Sequence, residues 1–128
     1  MSQSETGRKV IEDYYAAIRD NDREAWLSLF DESAITYCPV GEPANHGEEA
    51  IGKFFDTLIG HFTKVEIYPN FYLARGLHGS AHWNVMCETA DGKRVEMEGL
   101  DSFLLDEDGK IVNMHGYWDP EELLAALS

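Results

Sequence analysis

From Val95 to Leu105 the chain alternates with a period of two. Val95, Met97, Gly99, Asp101, Phe103 and Leu105 share one face of an extended segment, while Arg94, Glu96, Glu98 and Ser102 share the other. Such alternation is that of a half-buried strand, and it points Asp101, the one ionisable group on its apolar face, inward. Nearer the start the period is helical. Val10, Ile11, Tyr14, Ala17 and Ile18 form one face of a first helix, N-capped by Ser4 or Thr6, after a flexible polar tail of about six residues, 1–6. Asp20-Asn21-Asp22 breaks this helix and caps a second, whose inner face is Ala25, Trp26, Leu29 and Phe30. Ala34 to Cys38 reads as a short strand stopped by Pro39, and the turn formers from Val40 to Gly47 lead into a third helix carrying Ile51, Phe54, Phe55, Leu58 and Ile59. Four strands follow: Lys64 to Leu73, Ser80 to Thr89, Arg94 to Leu105 and Lys110 to Trp118. Asp91-Gly92 and Asp108-Gly109 mark hairpin turns between the last three. Asp119-Pro120-Glu121-Glu122 supplies an N-cap and a first turn for a short final helix over Leu123 to Leu127. Helices first and antiparallel strands last predict an α+β fold: one curved sheet packed against three helices, a single domain over 1–128 whose concave side can hold a pocket.

The charge narrows the partners. Ten basic residues stand against 24 acidic ones, a net charge of −14, and no basic cluster interrupts the acid. Nucleic acids and anionic membranes both need a basic footprint, so neither is an expected partner. The first residues lack the basic end and apolar core of a signal peptide, and no run is long enough to span a bilayer. Two cysteines, Cys38 and Cys87, make neither a disulfide framework nor a zinc pattern, so a cytoplasmic chain with free thiols is expected. No two histidines have the helical spacing of metal ligands, and no metal or cofactor is expected.

Asp101 changes the picture more than composition does. An isolated carboxylate in apolar surroundings must find a partner or keep its proton through a raised pKa. A carboxylic acid held neutral near pH 7 donates a strong hydrogen bond, which is a catalytic tool. The competing reading is a structural aspartate tied to a backbone N–H or a bulge.

The order Val10-Ile-Glu-Asp-Tyr-Tyr-Ala-Ala-Ile18, Trp26 to Phe30, Cys38-Pro-Val-Gly41, His46-Gly47, Ile51 to Phe55, Leu100-Asp-Ser-Phe103 and Asp106-Glu-Asp-Gly-Lys-Ile111 to Tyr117-Trp118 resembles the bacterial ketosteroid isomerases. These share a cone-shaped fold with nuclear transport factor two, scytalone dehydratase and the SnoaL-type polyketide cyclases. The resemblance runs from about Lys9 to Leu123. It puts Tyr14 on the family's oxyanion-hole tyrosine and Asp101 on its protonated aspartate. In that chemistry both groups donate hydrogen bonds to a ketone oxygen as it becomes a dienolate. A separate aspartate, placed before Pro-Val-Gly or Pro-Phe-Gly, moves the proton between carbons, and here that place is Cys38. A thiol with an ordinary pKa of about 8.5 is a poor base at pH 7. Cys38 is therefore read as a packing residue, as a nucleophile that would want a histidine such as His46 close by, or as a weak base.

Another base depends on strand register. If Asp91-Gly92 is a two-residue hairpin, His82 lies opposite Asp101 with Asn84, Met86 and Glu88 on the same inner face. A three-residue loop turns Trp83, Val85 and Cys87 inward instead. Gap-free comparison with the family favours the first. A His82–Asp101 contact would ionise Asp101 and suit a dehydratase or polyketide-cyclase-type lyase with His82 or Glu88 as base. Phe30, Phe54, Phe55, Met97, Phe103, Met114 and Trp118 are expected to wall a pocket for a small apolar ligand. The leading expectation is a cofactor-independent, steroid delta-isomerase-like enzyme that enolises an apolar carbonyl compound. A lyase and a non-catalytic ligand-binding or dimerisation domain are the alternatives. By resemblance the chain is expected to form a homodimer through the outer sheet face, with Trp83, Val85 and Leu100 as compatible contacts.

Overall fold

The computed structural model describes residues 2–128. Helix α1 spans Gln3–Arg19 and begins earlier than expected. Ser2 accepts a hydrogen bond from the Glu5 backbone N–H and the Glu5 side chain reaches back, a reciprocal cap that draws the expected tail into the helix. Asp22 caps the short α2 (Arg23–Leu27) through the Ala25 N–H. The chain then enters β1 (Phe30–Tyr37), so Phe30 opens a strand rather than closing a helix. A two-residue β2 (Asn45–His46), α3 (Gly47–Leu58) and one 3₁₀ turn lead into β3 (Lys64–Arg75), β4 (His78–Glu88), β5 (Arg94–Leu105), β6 (Ile111–Tyr117) and α4 (Pro120–Leu127).

The six strands form one sheet in the order β2-β1-β6-β5-β4-β3. Only β1 and β6 run parallel; the other neighbours are antiparallel. Helix α1 packs across β3 and β4, and α3 against β1. The observed architecture is the α+β arrangement that the helix-first, strand-last order predicts. On β5 burial alternates as the sequence does, with Val95, Met97, Gly99, Asp101, Phe103 and Leu105 all inside.

Register is where the expectation fails. Asp101 lies opposite Ala81, Leu100 opposite His82 and Gly99 opposite Trp83. The turn holds three residues, Ala90-Asp91-Gly92: the Thr89 N–H bonds the Lys93 carbonyl, the Gly92 N–H bonds the Thr89 carbonyl, and Gly92 takes φ 88°. A type I turn followed by a left-handed glycine adds one residue to the loop and so flips every β4 side chain to the other face. His82, Asn84, Met86 and Glu88 therefore stand on the outer face, not in the cone. Trp83, Val85 and Cys87 fill the interior, so of the three expected dimer contacts only Leu100 faces outward.

Four expected pocket walls belong to the packed core instead. Phe30, Phe55, Phe103 and Met114 are buried in the main apolar cluster. Phe55 lies 5.1 Å from the ring of Trp26, and Phe103 5.1 Å edge-on to Tyr14. These contacts hold α1, α2 and α3 on the sheet, and buried aromatic pairs of this kind add about 0.5–1.5 kcal/mol beyond their area. α4 is held differently: it has no fully buried residue, and only Leu123 and Leu127 pack inward.

Candidate active site

A cavity of about 100 Å³ remains between the helices and the concave face of the sheet. Tyr14, Cys38 and Asp101 lie at one part of its wall; Phe54, Leu58, Trp118 and Leu123 wall it on the side of α3 and α4. Of the expected site residues, the structure thus gathers Tyr14, Cys38, Asp101, Phe54, Met97 and Trp118 around one space. Among the described residues, no other lining side chain carries oxygen besides Tyr14 and Asp101, and no lining residue is a histidine.

Asp101 is 4% exposed. Its Oδ2 accepts a hydrogen bond of 2.7 Å from Oη of Tyr15, not Tyr14. Tyr15 sits four residues after Ile11 and three before Ile18, on the apolar stripe of α1, and that spacing is the signal in the sequence that marks it as inward. The two neighbouring tyrosines divide the work. Tyr15, fully buried, anchors the carboxyl, and Tyr14 presents itself to the cavity. Burial pushes the Asp101 carboxyl up to about 7, against the opposing pull of the Tyr15 hydroxyl and of the Trp83 indole. The Trp83 Nε1–H faces the carboxyl without reaching hydrogen-bond geometry, so it lends a favourable dipole and keeps an unused donor. With a pKa near 7, Asp101 is populated in both proton states at neutral pH, the range in which an acid–base group is most useful.

Tyr14 is held well above the ordinary phenol range, first by burial and then by Asp101 and Cys38 nearby. It is a proton donor in this site, never a phenolate at neutral pH. The Cys38 thiol is likewise pushed far up by burial and by Asp101. A thiol so held supplies neither a base nor a nucleophile at neutral pH. His46, the histidine proposed to activate it, is an exposed residue of β2 at the cap position of α3.

Gly116, opposite Asp101 on β6, leaves room for this cluster. A Cβ there would stand 3.1 Å from Oδ1 of Asp101 and 3.3 Å from Sγ of Cys38. The free carboxyl oxygen and the thiol thus face one small gap beside the cavity.

The outer-face residues have partners of their own. His82 Nε2 lies 2.9 Å from Oε2 of Glu98, its Nδ1 2.9 Å from Nδ2 of Asn70, and its ring stacks on Phe71. Asn84 accepts a hydrogen bond from Asn70. A lyase built on His82 or Glu88 would need these groups on the other side of the sheet. Among the described residues no three His, Cys, Asp or Glu side chains gather as a metal site, and no helix is long and apolar enough to cross a membrane.

Residues 11–114 match the model of the SnoaL-like domain. Among curated proteins, the steroid delta-isomerase of Nocardioides simplex is 25% identical over 117 residues, covering 91% of this chain and 93% of the relative. Two solved structures share the fold: a putative polyketide cyclase from Xanthomonas campestris, with a TM-score of 0.87, 20% identity and 99% and 100% of the two chains covered, and RV0760c of Mycobacterium tuberculosis in complex with estradiol-17beta-hemisuccinate, with a TM-score of 0.82, 22% identity and 91% and 96% covered.

Proposed function

The chain belongs to the SnoaL-like domain family, and from that premise we propose that it binds a small apolar cyclic carbonyl compound in its cone and promotes its enolisation without a cofactor. The observation that carries this reading is the buried Asp101 carboxyl beside Tyr14 on the wall of an otherwise apolar cavity. Protonated Asp101 and the Tyr14 hydroxyl donate hydrogen bonds to the ligand's oxygen and stabilise the negative charge it gains as the enolate forms. Preorganised donors in a dry site are worth far more than in water, about 100- to 1,000-fold in rate for one donor. The likeness to a steroid delta-isomerase supports an isomerase of this general kind. What the site lacks is a second carboxylate. Cys38 stands where the resemblance puts the proton-moving aspartate, so the C–H proton passes to a water molecule entering with the ligand, a weak base that later returns it to the other carbon, and turnover is slow.

Cys38→Asp tests this reading. With 3-cyclohexenone as substrate, the variant should form the conjugated 2-cyclohexenone at least 100-fold faster than the parent, followed by ultraviolet absorbance. A variant that folds, binds phenol and shows no gain would instead favour a ligand-binding domain without catalysis, the reading that the missing base itself suggests.

The protein is further proposed to act as a homodimer in a reducing, cytoplasmic setting, where Cys38 and Cys87 stay free. The outer sheet face supports pairing: Tyr68, Phe71, Leu73 and Tyr117 are each about half exposed or more, and exposed apolar area on this scale marks an interaction surface. Sedimentation of Phe71→Glu should give the monomer mass; a parent that is already monomeric would overturn the proposal.

A further inference from the structure

We infer that the ligand is compact: one ring carrying one oxygen function, in the size range of an alkylphenol or cyclohexenone, with Trp83 setting the limit. This rests on the oxygen-gripping site just proposed and narrows what it holds. Three features of the cavity lead there.

The first is volume. At about 100 Å³ the space is smaller than the roughly 150 Å³ that an apolar protein cavity uses to hold benzene. A single ring with small substituents is accommodated by modest side-chain adjustment, whereas a four-ring skeleton would have to displace packed side chains or project through the open side of the cavity into solvent.

The second is the distribution of polar groups. Away from Tyr14, Cys38 and Asp101, the wall includes Ile18, Ile59, Phe62, Val65, Ile67 and Val95. A second hydroxyl buried among these side chains would lose its water and find no oxygen to accept its proton, which weakens binding. One oxygen function satisfies the site, and a second buried hydroxyl is penalised.

The third is the rigidity of one wall. Trp83 is 6% exposed and lies flat on β5 at Gly99. A Cβ at Gly99 would stand 2.2 Å from Cζ2 of Trp83, so the indole already rests against strand backbone and has nowhere to retreat. The same ring directs its unused Nε1–H toward Asp101. Trp83 thus both fills space and faces the polar end, and the glycine behind it is what lets so large a side chain sit there.

Calorimetric titration with 4-ethylphenol and with estradiol tests the inference, since both carry a phenol and differ in the size of the rest. The wild-type protein should bind 4-ethylphenol at least tenfold more tightly than estradiol, and Asp101→Leu should weaken 4-ethylphenol at least tenfold. Trp83→Ala should move the preference at least tenfold toward estradiol. Should that variant not fold, Met97→Ala, which opens the same cavity, should move it in the same direction. Wild-type binding of estradiol as tight as that of 4-ethylphenol would overturn the size limit, while leaving the oxygen grip standing if Asp101→Leu abolishes both. Binding of neither phenol would remove the oxygen grip and the inference together.

Discussion

Asp101 and Glu98 are carboxylates three residues apart on β5, one facing the cone and the other facing outward. Glu98 is 70% exposed at its side chain and lies against the imidazole of His82. Asp101 is buried, with a phenol as its hydrogen-bond partner and a carboxyl driven up to about 7. The exposed pair has the more conspicuous chemistry on paper, a histidine touching an acid. Yet water screens that pair and leaves it worth at most about 1 kcal/mol, whereas desolvation makes the isolated acid a tunable proton donor. In this protein it is dryness, more than the choice of neighbour, that turns a carboxylate into a reagent.

The sharpest way to break the comparison is to remove each carboxyl in turn. Asp101→Leu should lower turnover of a cyclohexenone by about 100- to 1,000-fold, the usual cost of losing one charge-stabilising donor. Glu98→Gln should leave it within twofold, measured on the same assay. Stability should diverge with pH as well. Asp101 is raised from its ordinary value, so its contribution to stability is full below the unfolded carboxylate pKa of about 4 and is lost as pH rises through about 7. Urea melts should therefore show Asp101→Asn more stable than the parent by a few kcal/mol at pH 9, with the advantage shrinking or reversing at pH 4. An unchanged difference across that range would mean that the carboxyl titrates like an exposed one.

A smaller effect is expected from the backbone behind the cavity. Gly99→Ala would drive a methyl into the Trp83 ring and should cost about 1–3 kcal/mol by overpacking, read from the urea midpoint. Smallest of all is His82→Ala on the outer face. It removes the contact with Glu98 and the stack on Phe71, and should cost about 1 kcal/mol or less with turnover unchanged. Loss of activity in that variant would return the outer face to the catalytic question.

These unequal outcomes follow what could and could not be read from the chain. The five longer strands of the sheet and the inward aim of Asp101 were legible, because alternation is local and repeats over many residues, whereas the two-residue β2 lay hidden in the turn formers from Val40 to Gly47. Whether His82 or Trp83 enters the cone turns on a single residue of loop length. Asp91-Gly92 fits a two-residue turn as well as the three-residue turn with left-handed Gly92 that forms, and nothing local separates them. The Thr89 hydroxyl, which bonds the Asp91 side chain and accepts the Lys93 N–H, stabilises the longer loop, and the bulk of Trp83 finds its space only over Gly99 on the next strand. The choice of Tyr15 over Tyr14 as the partner of Asp101 was hidden for a related reason. Both tyrosines fit the buried side of α1, and which hydroxyl reaches β5 depends on how the helix is seated across β3 and β4, a tertiary fact. Phe30 and Phe55 became core rather than wall because Trp26 lies between the helices and gathers both rings.

α4 hangs on the molecule by little more than Leu123, Leu127 and a bond from Nζ of Lys93 to the Leu127 carbonyl. A segment so lightly moored should trade its amide protons with solvent long before the strands beneath it do. Since Leu123 also borders the cavity, an occupant pressing on that leucine would slow the exchange along 120–127, so the tail of the chain would serve as a gauge of whether the cone is full.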